Sequence, residues 1–242
     1  MKTNLKTIIT TFDMSGLLLS IAGILLGILL AAADYHIRWD VALALVVTVI
    51  PIHIYMVRPS RWSLAASVLG AVLTMYLSYG TVFCLESLLL LLFGYFILRL
   101  AKGAGSMGAV PEFAVTCLLK GPVALFGAYF VCTHAFPFWF LLFPALSLGL
   151  LSVASDALVR QVRWLVTGSL TAAMFMMLTY SCLRVLTMMH FLYVLAFPAF
   201  IYILVKIYTE KEQEPASIRL SLALSSFAFA LLAGLGFIGY LF

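Results

Sequence analysis

Residues Ser155 to Trp164 read Ser-Asp-Ala-Leu-Val-Arg-Gln-Val-Arg-Trp and lie between two long apolar runs. The ending, Arg160-x-x-Arg163-Trp164, repeats Arg58-x-x-Arg61-Trp62, which stands 102 residues earlier and again between apolar runs. Each copy follows an even-numbered run and opens the next. A chain that returns to the same chemistry after four further runs has returned to the same side of whatever the runs cross. The first expectation is therefore a pair of arginine-rich turns on one face of a membrane.

Composition agrees. Hydrophobic residues make up 65% of the chain and charged residues 10%, with a mean hydropathy of +1.17. A soluble domain has nearer one half and one quarter. The 242 residues hold no Gly/Ser tract or charge block that would divide them, so residues 1–242 read as one polytopic domain. The formal charge of +5 is spread singly or in pairs between apolar runs, without a nucleic-acid signature. Cys84, Cys117, Cys132 and Cys182 lie inside apolar runs and read as small hydrophobes. The four histidines show no metal-ligand spacing.

Crossing a hydrocarbon layer of about 30 Å takes about 20 apolar residues. Such runs cover Met14–Ala33, Asp40–Val57, Trp62–Tyr79, Phe83–Leu100, Phe113–Thr133, Pro137–Ala154, Trp164–Leu183, Thr187–Ile207 and Leu220–Phe242. The expectation is an all-α bundle of nine transmembrane helices. The first run, at 20 residues, exceeds the apolar core of a signal peptide and reads as an anchor. Alternation then puts eleven cations on one side, namely Lys2, Lys6, Arg58, Arg61, Arg99, Lys102, Arg160, Arg163, Lys206, Lys211 and Arg219. The other side receives two, Arg38 and Arg184. By the positive-inside bias the N-terminus is cytoplasmic and the C-terminus outward.

Small residues four apart, Gly23/Gly27 and Ala66/Gly70, predict close helix contacts. Pro51, Pro122, Pro144 and Pro198 interrupt four helices and predict kinks. Lys120 falls about 10 Å into the fifth helix. A cation there snorkels, pairs with a carboxylate such as Glu112 or Asp156, or faces a ligand. Glu86 lies about one turn inside the outer end of the fourth helix.

The arginine turns admit two readings. Arginines there satisfy the charge bias while Trp62 and Trp164 anchor at head-group depth. Alternatively Arg58, Arg61, Arg160 and Arg163, with Lys102, take the phosphate of a lipid head group, for which planar guanidiniums suit. The segment Lys102 to Gly108 is Gly-rich but matches neither a phosphate-loop nor a dinucleotide fingerprint. No hydrolytic triad or zinc motif is readable.

Residues Gly103 to Thr133 carry a family resemblance. A Gly-rich loop leads to Glu112 and then to Gly121-x-Val123-Ala124-x-x-Gly127-x-Tyr129-Phe130. This resembles the UbiA superfamily of intramembrane prenyltransferases, in its menaquinone-pathway (1,4-dihydroxy-2-naphthoate prenyltransferase-like) branch. The Leu-Leu-Gly of Leu25 to Gly27 and the nine-helix, N-inside plan agree with it. The resemblance implies a cavity for a polyprenyl or quinone-type lipid, transfer of a prenyl chain to an aromatic acceptor, and a bacterial inner membrane location. It also implies Mg²⁺ held by two Asp-rich motifs after the second and sixth helices. Here those turns shrink to Val57–Trp62 and Ser155–Trp164, with Asp156 the one carboxylate between them. Mg²⁺ needs several hard oxygen ligands. The resemblance therefore implies a lipid-binding scaffold with weak or no Mg-dependent transfer, leaving Asp156 and Glu112 for acid/base work. Two other classes stay open: a structural or regulatory subunit contacting a membrane protein partner, and a small-solute transporter.

Overall fold

The computed structural model describes residues 13–79, 109–184, 188–209 and 215–238. The expected helix Phe83–Leu100, the Gly-rich segment, Glu86 and Lys102 lie outside the described residues. Within them the chain is helical and contains no strand, with eight helices.

Numbered in chain order, helices α1 (Met14–Asp34), α2 (Trp39–Val57) and α3 (Arg61–Tyr79) come first. Helix α4 runs through Ala109–Leu118, a π turn at Leu119–Val123, and Ala124–Thr133. Helix α5 (Leu142–Val159) opens with a 3₁₀ turn at Trp139–Leu141, and α6 is Arg163–Arg184. Helix α7 combines a 3₁₀ stretch, Met188–Ala196, with the α-helical Phe197–Thr209, and α8 is Pro215–Ile238.

Seven of the eight are long and apolar enough to cross a bilayer. The exception, α3, is of similar length but carries Ser63, Ser67 and Thr74. These three are buried, at spacings that line one face, and Thr74 exchanges a 2.9 Å hydrogen bond with Thr48 of α2. Its large apolar residues Leu69, Leu73 and Tyr76 point outward. Helices in lipid associate through small and hydroxylated residues and leave the bulky ones to the solvent, which is hydrocarbon. The chain is an integral membrane protein of helical-bundle class.

Half or more of α1, α5 and α8 is buried, against about a third of the other spans, so these three form the centre. Helix α1 packs along α8 and along the second half of α4; α5 packs along α6, and α2 along α3. Glycine spacing explains the α1–α4 approach. A Cβ on Gly23 would stand 2.6 Å from the Lys120 carbonyl oxygen, and one on Gly27 would stand 2.5 Å from that of Leu125. Any side chain at either site would push the helices apart. Gly121 and Gly149 face one another across α4 and α5 in the same way.

The π turn has a local cause. Pro122 carries no N–H and cannot continue the α ladder, so the turn widens and Ala124 N–H reaches back five residues to the Leu119 oxygen. The 3₁₀ stretch at Met188–Ala196 departs from the sequence, which predicts α-helix over Thr187–Ile207. Its backbone packs against Gly236 of α8.

The helix ends sort into two polar layers. At one end meet Asp13, His53, Glu112, Thr116, Asp156, Arg160 and Arg219, joined by hydrogen bonds across α1, α2, α4, α5 and α8. At the other, Arg38 donates to the Leu77 carbonyl (2.9 Å), Ser78 to the Val131 carbonyl (2.7 Å) and Tyr129 to the Asp34 carboxylate (3.0 Å). We call the first the basic end, because both arginine turns belong to it.

Candidate functional site at the basic end

The two arginine turns are closed by different local chemistry. In the first, Arg58 caps α2, its N–H bonding the Ile54 oxygen at 2.7 Å. Pro59 cannot extend that helix, and Ser60 starts the next one. Ser63 N–H donates to Ser60 Oγ (3.0 Å) while Ser60 N–H donates to Ser63 Oγ (3.1 Å). This reciprocal box satisfies two amide donors at the start of α3. It makes no use of the Arg58 and Arg61 side chains, and both residues stay exposed. No described residue pairs with either guanidinium.

In the second, α5 ends in a Schellman closure. Gln161 adopts the left-handed conformation (φ 58°), Val162 N–H returns to the Ala157 oxygen (3.0 Å) and Gln161 N–H to the Leu158 oxygen (3.2 Å). This wraps Arg160 back over α4. It pairs with Glu112 and lies 5.1 Å from the centre of the Phe113 ring. Arg163 opens α6, is exposed and has no described partner. Trp62 and Trp164 are both largely exposed, as residues anchored at head-group depth would be.

Beside the second turn sits a node that sequence reasoning missed. Asp13 is the N-cap of α1, in a left-handed conformation, and its carboxylate accepts from Gly16 N–H at 3.3 Å. Arg219 of α8 grips that carboxylate with both terminal nitrogens, at 2.6 and 3.2 Å. The same guanidinium reaches Asp156 Oδ1 (3.3 Å) and, through Nε, the fully buried Ser155 Oγ (3.0 Å). Thr116 donates to the other Asp156 oxygen at 3.3 Å, and the His53 ring lies 3.2 Å from the Asp13 carbonyl. Side-chain exposure of Arg219, Asp13 and Asp156 is 19, 22 and 26%. The pairs are therefore largely withdrawn from solvent, where a charge left alone is costly.

The sequence-derived site residues thus fall into separate groups. Asp156 and Glu112 are each engaged by an arginine, Arg219 and Arg160. Lys120 is half-buried in the π turn and meets no carboxylate among the described residues, so the pairing with Glu112 or Asp156 that its depth allowed is not made. The two arginine turns share one end but lie on helix pairs, α2–α3 and α5–α6, that do not pack along each other. Arg219 had counted only toward the charge bias; its signal in sequence was a lone arginine near the start of the last run, with an aspartate just before the first.

A Mg²⁺ ion does not fit this donor set. The Asp13 and Asp156 oxygens are bracketed by a guanidinium, and among the described residues no group of three or more His, Cys, Asp or Glu could hold a metal. Compared with protein families, curated proteins and solved structures, the chain matches none. What fold and site define is a class: a polytopic helical membrane protein whose described carboxylates at the basic end, Asp13, Glu112 and Asp156, are each paired with an arginine.

Proposed function

We propose that this protein binds a polyprenyl- or quinone-type lipid by its head group at the basic end, on a nine-crossing scaffold of UbiA type in a bacterial inner membrane, without Mg-dependent prenyl transfer. The observation that carries the reading is the set of three exposed guanidiniums, Arg58, Arg61 and Arg163, at one end of the bundle with no described partner. Arginine at the lipid boundary with no counter-ion among the described residues can take an anionic or strongly polar head group, which it holds by paired N–H donors. Lys102 completes the cationic set in the proposal.

The nine-crossing scaffold of this reading counts α3 and the run Phe83–Leu100, which lies outside the described residues, beside the seven helices long and apolar enough to span. That run has the length and composition for a crossing.

The commitment of both carboxylates to arginines speaks for binding rather than for metal-assisted ionisation of an allylic diphosphate. The same commitment favours a second reading, a structural or regulatory subunit, because Arg219 ties three helices together without needing a ligand. Replacing Arg58, Arg61, Arg160 and Arg163 together by Gln separates the two. The lipid reading expects a copurifying isoprenoid, followed by native mass spectrometry, to be lost while thermal unfolding changes little. Retained lipid with altered assembly supports the subunit reading instead.

A further inference from the structure

The half of α7 away from the basic end takes a backbone that its own residues do not ask for. Met188–Ala196 forms nine residues of 3₁₀ helix, although such runs rarely exceed three or four residues. The segment reads Met-Met-His-Phe-Leu-Tyr-Val-Leu-Ala, without glycine or proline and rich in residues that favour the α form. The π turn in α4 has Pro122 as its local cause. This stretch has no such residue.

What holds it lies on other helices. A Cβ on Gly236 of α8 would stand 2.5 Å from the Met189 carbonyl oxygen, so only glycine lets the two backbones lie so close. Three residues per turn set His190, Tyr193 and Ala196 in one buried row, while Met189 and Leu195 stay exposed. The His190 ring stands edge-on to Phe237 at 5.0 Å and Tyr193 edge-on to Phe229 at 5.7 Å, both on α8. On the other side the Tyr193 hydroxyl reaches α6, 2.8 Å from Ser181 Oγ and 3.3 Å from the Met177 carbonyl oxygen. The row therefore stands between α6 and α8.

Local preference and tertiary contact thus favour different backbones for the same nine residues. Where the two disagree the site is commonly a functional one, and two packings of one segment that differ by little make a switch. Pro198, the second residue of the α half, lacks an N–H, so the join misses one ladder bond in either form. Passing from about 2.0 to about 1.5 Å of rise per residue, and from about 120° to about 100° of turn, shortens the stretch by about 4–5 Å. It also turns His190, which lies seven residues before Phe197, through about 140°. The buried row then leaves α6 and α8.

We propose that Met188–Ala196 is a 3₁₀-to-α switch that opens the bundle between α6 and α8, latched shut by the close fit on Gly236 and by the Tyr193 hydroxyl. It is independent of the lipid-binding reading and acts at the opposite end of the bundle.

The test is a spin-label distance measurement by pulsed electron resonance on the full chain in detergent, with the native cysteines replaced by alanine and labels at Met189 and Tyr208, both exposed. The 3₁₀ form sets these positions about 32 Å apart along the axis, and an all-α path about 28 Å. The wild type is expected at the longer distance. Gly236→Ala pushes on the Met189 oxygen and shifts the main population shorter by about 4 Å. Tyr193→Phe, which adds no atom, shifts a smaller share by the same amount. Leu235→Ala, at an exposed position beside Gly236, shifts nothing. Labels at Val47 and Tyr208, exposed on α2 and α7, report whether the bundle as a whole has been disturbed. Shortening in either Gly236→Ala or Tyr193→Phe, with the Val47 to Tyr208 distance unchanged in that variant, supports the switch. Any other pattern, including a wild type already at the shorter distance, overturns it.

Discussion

The two R-x-x-R-W turns are the same words used in opposite ways. At the first, a reciprocal serine box closes the helix start with backbone and hydroxyl groups alone, and its arginines remain exposed without described partners. At the second, a left-handed glutamine folds the chain back so that Arg160 lands on Glu112. The neighbouring Asp156 is taken by Arg219. At the first turn neither arginine has a described partner, while at the second Arg160 is tied to Glu112 and Arg163 alone stays without one. A repeated motif thus fixes the side of the membrane but not the role, because the role depends on whether a carboxylate from another helix arrives beside it.

The largest way to break this contrast is Arg219→Ala. It strands Asp13 and Asp156 in a mostly desolvated layer, and breaking such a buried pair costs about 3–5 kcal/mol, reduced to roughly 2–3 here by partial exposure. Thermal unfolding in detergent should fall accordingly, while the charge-swapped pair Asp13→Arg with Arg219→Asp should recover some of the loss. An unchanged midpoint in Arg219→Ala would mean the node is ornamental and the second turn is not scaffold.

Ser60→Ala removes the helix-start box at the first turn. The expected loss is about 1 kcal/mol, the usual value of an N-cap, read as a lowered unfolding midpoint. Gln161→Gly acts at the second turn with the opposite sign. A left-handed non-glycine residue carries a cost of about 1–2 kcal/mol, and glycine, though it gains freedom in the unfolded chain, should stabilise by about 0.5–1 kcal/mol. Destabilisation by that change would show that the Schellman closure is not what shapes the turn.

The smallest effect on stability is the most informative about function. Glu112→Gln frees Arg160. The pair is more than a third exposed, so its contribution is discounted for screening to below about 0.5 kcal/mol. With Arg160 released, the second turn should resemble the first and retain more anionic lipid in native mass spectrometry. No gain in lipid would indicate that a free arginine alone does not make a site.

Much of the fold was legible along the chain. Bilayer crossing is set by length and hydropathy over about 20 residues, a strictly local property, and seven of the expected runs appear as helices long and apolar enough to span. The close approaches at Gly23 and Gly27 were legible too, since small residues at one-turn spacing allow little else in lipid. Less legible was α7, where the first nine residues take a 3₁₀ path against Gly236 that no periodicity announces. Of the three readings open for Lys120, snorkelling, an ion pair or a ligand, the pair with Glu112 or Asp156 is not made, for a different reason. Depth along a helix follows from counting, but which of several cations a carboxylate accepts depends on positions across the bundle. Arg160 and Arg219 reach Glu112 and Asp156 first.

Taken alone, the order of residues determined a membrane protein of helices, the two ends on which its charges gather, and the pair of arginine turns at one of them. All of these follow from transfer free energies and from spacing along a single segment. Tertiary structure alone decided that Asp13 and Arg219, 206 residues apart, close the bundle on Asp156. It alone left Arg58 and Arg61 without described partners while setting Arg160 on Glu112. The reason is that an ion pair is a property of three-dimensional proximity and shared desolvation, and neither quantity is written in the neighbours of a residue along the chain.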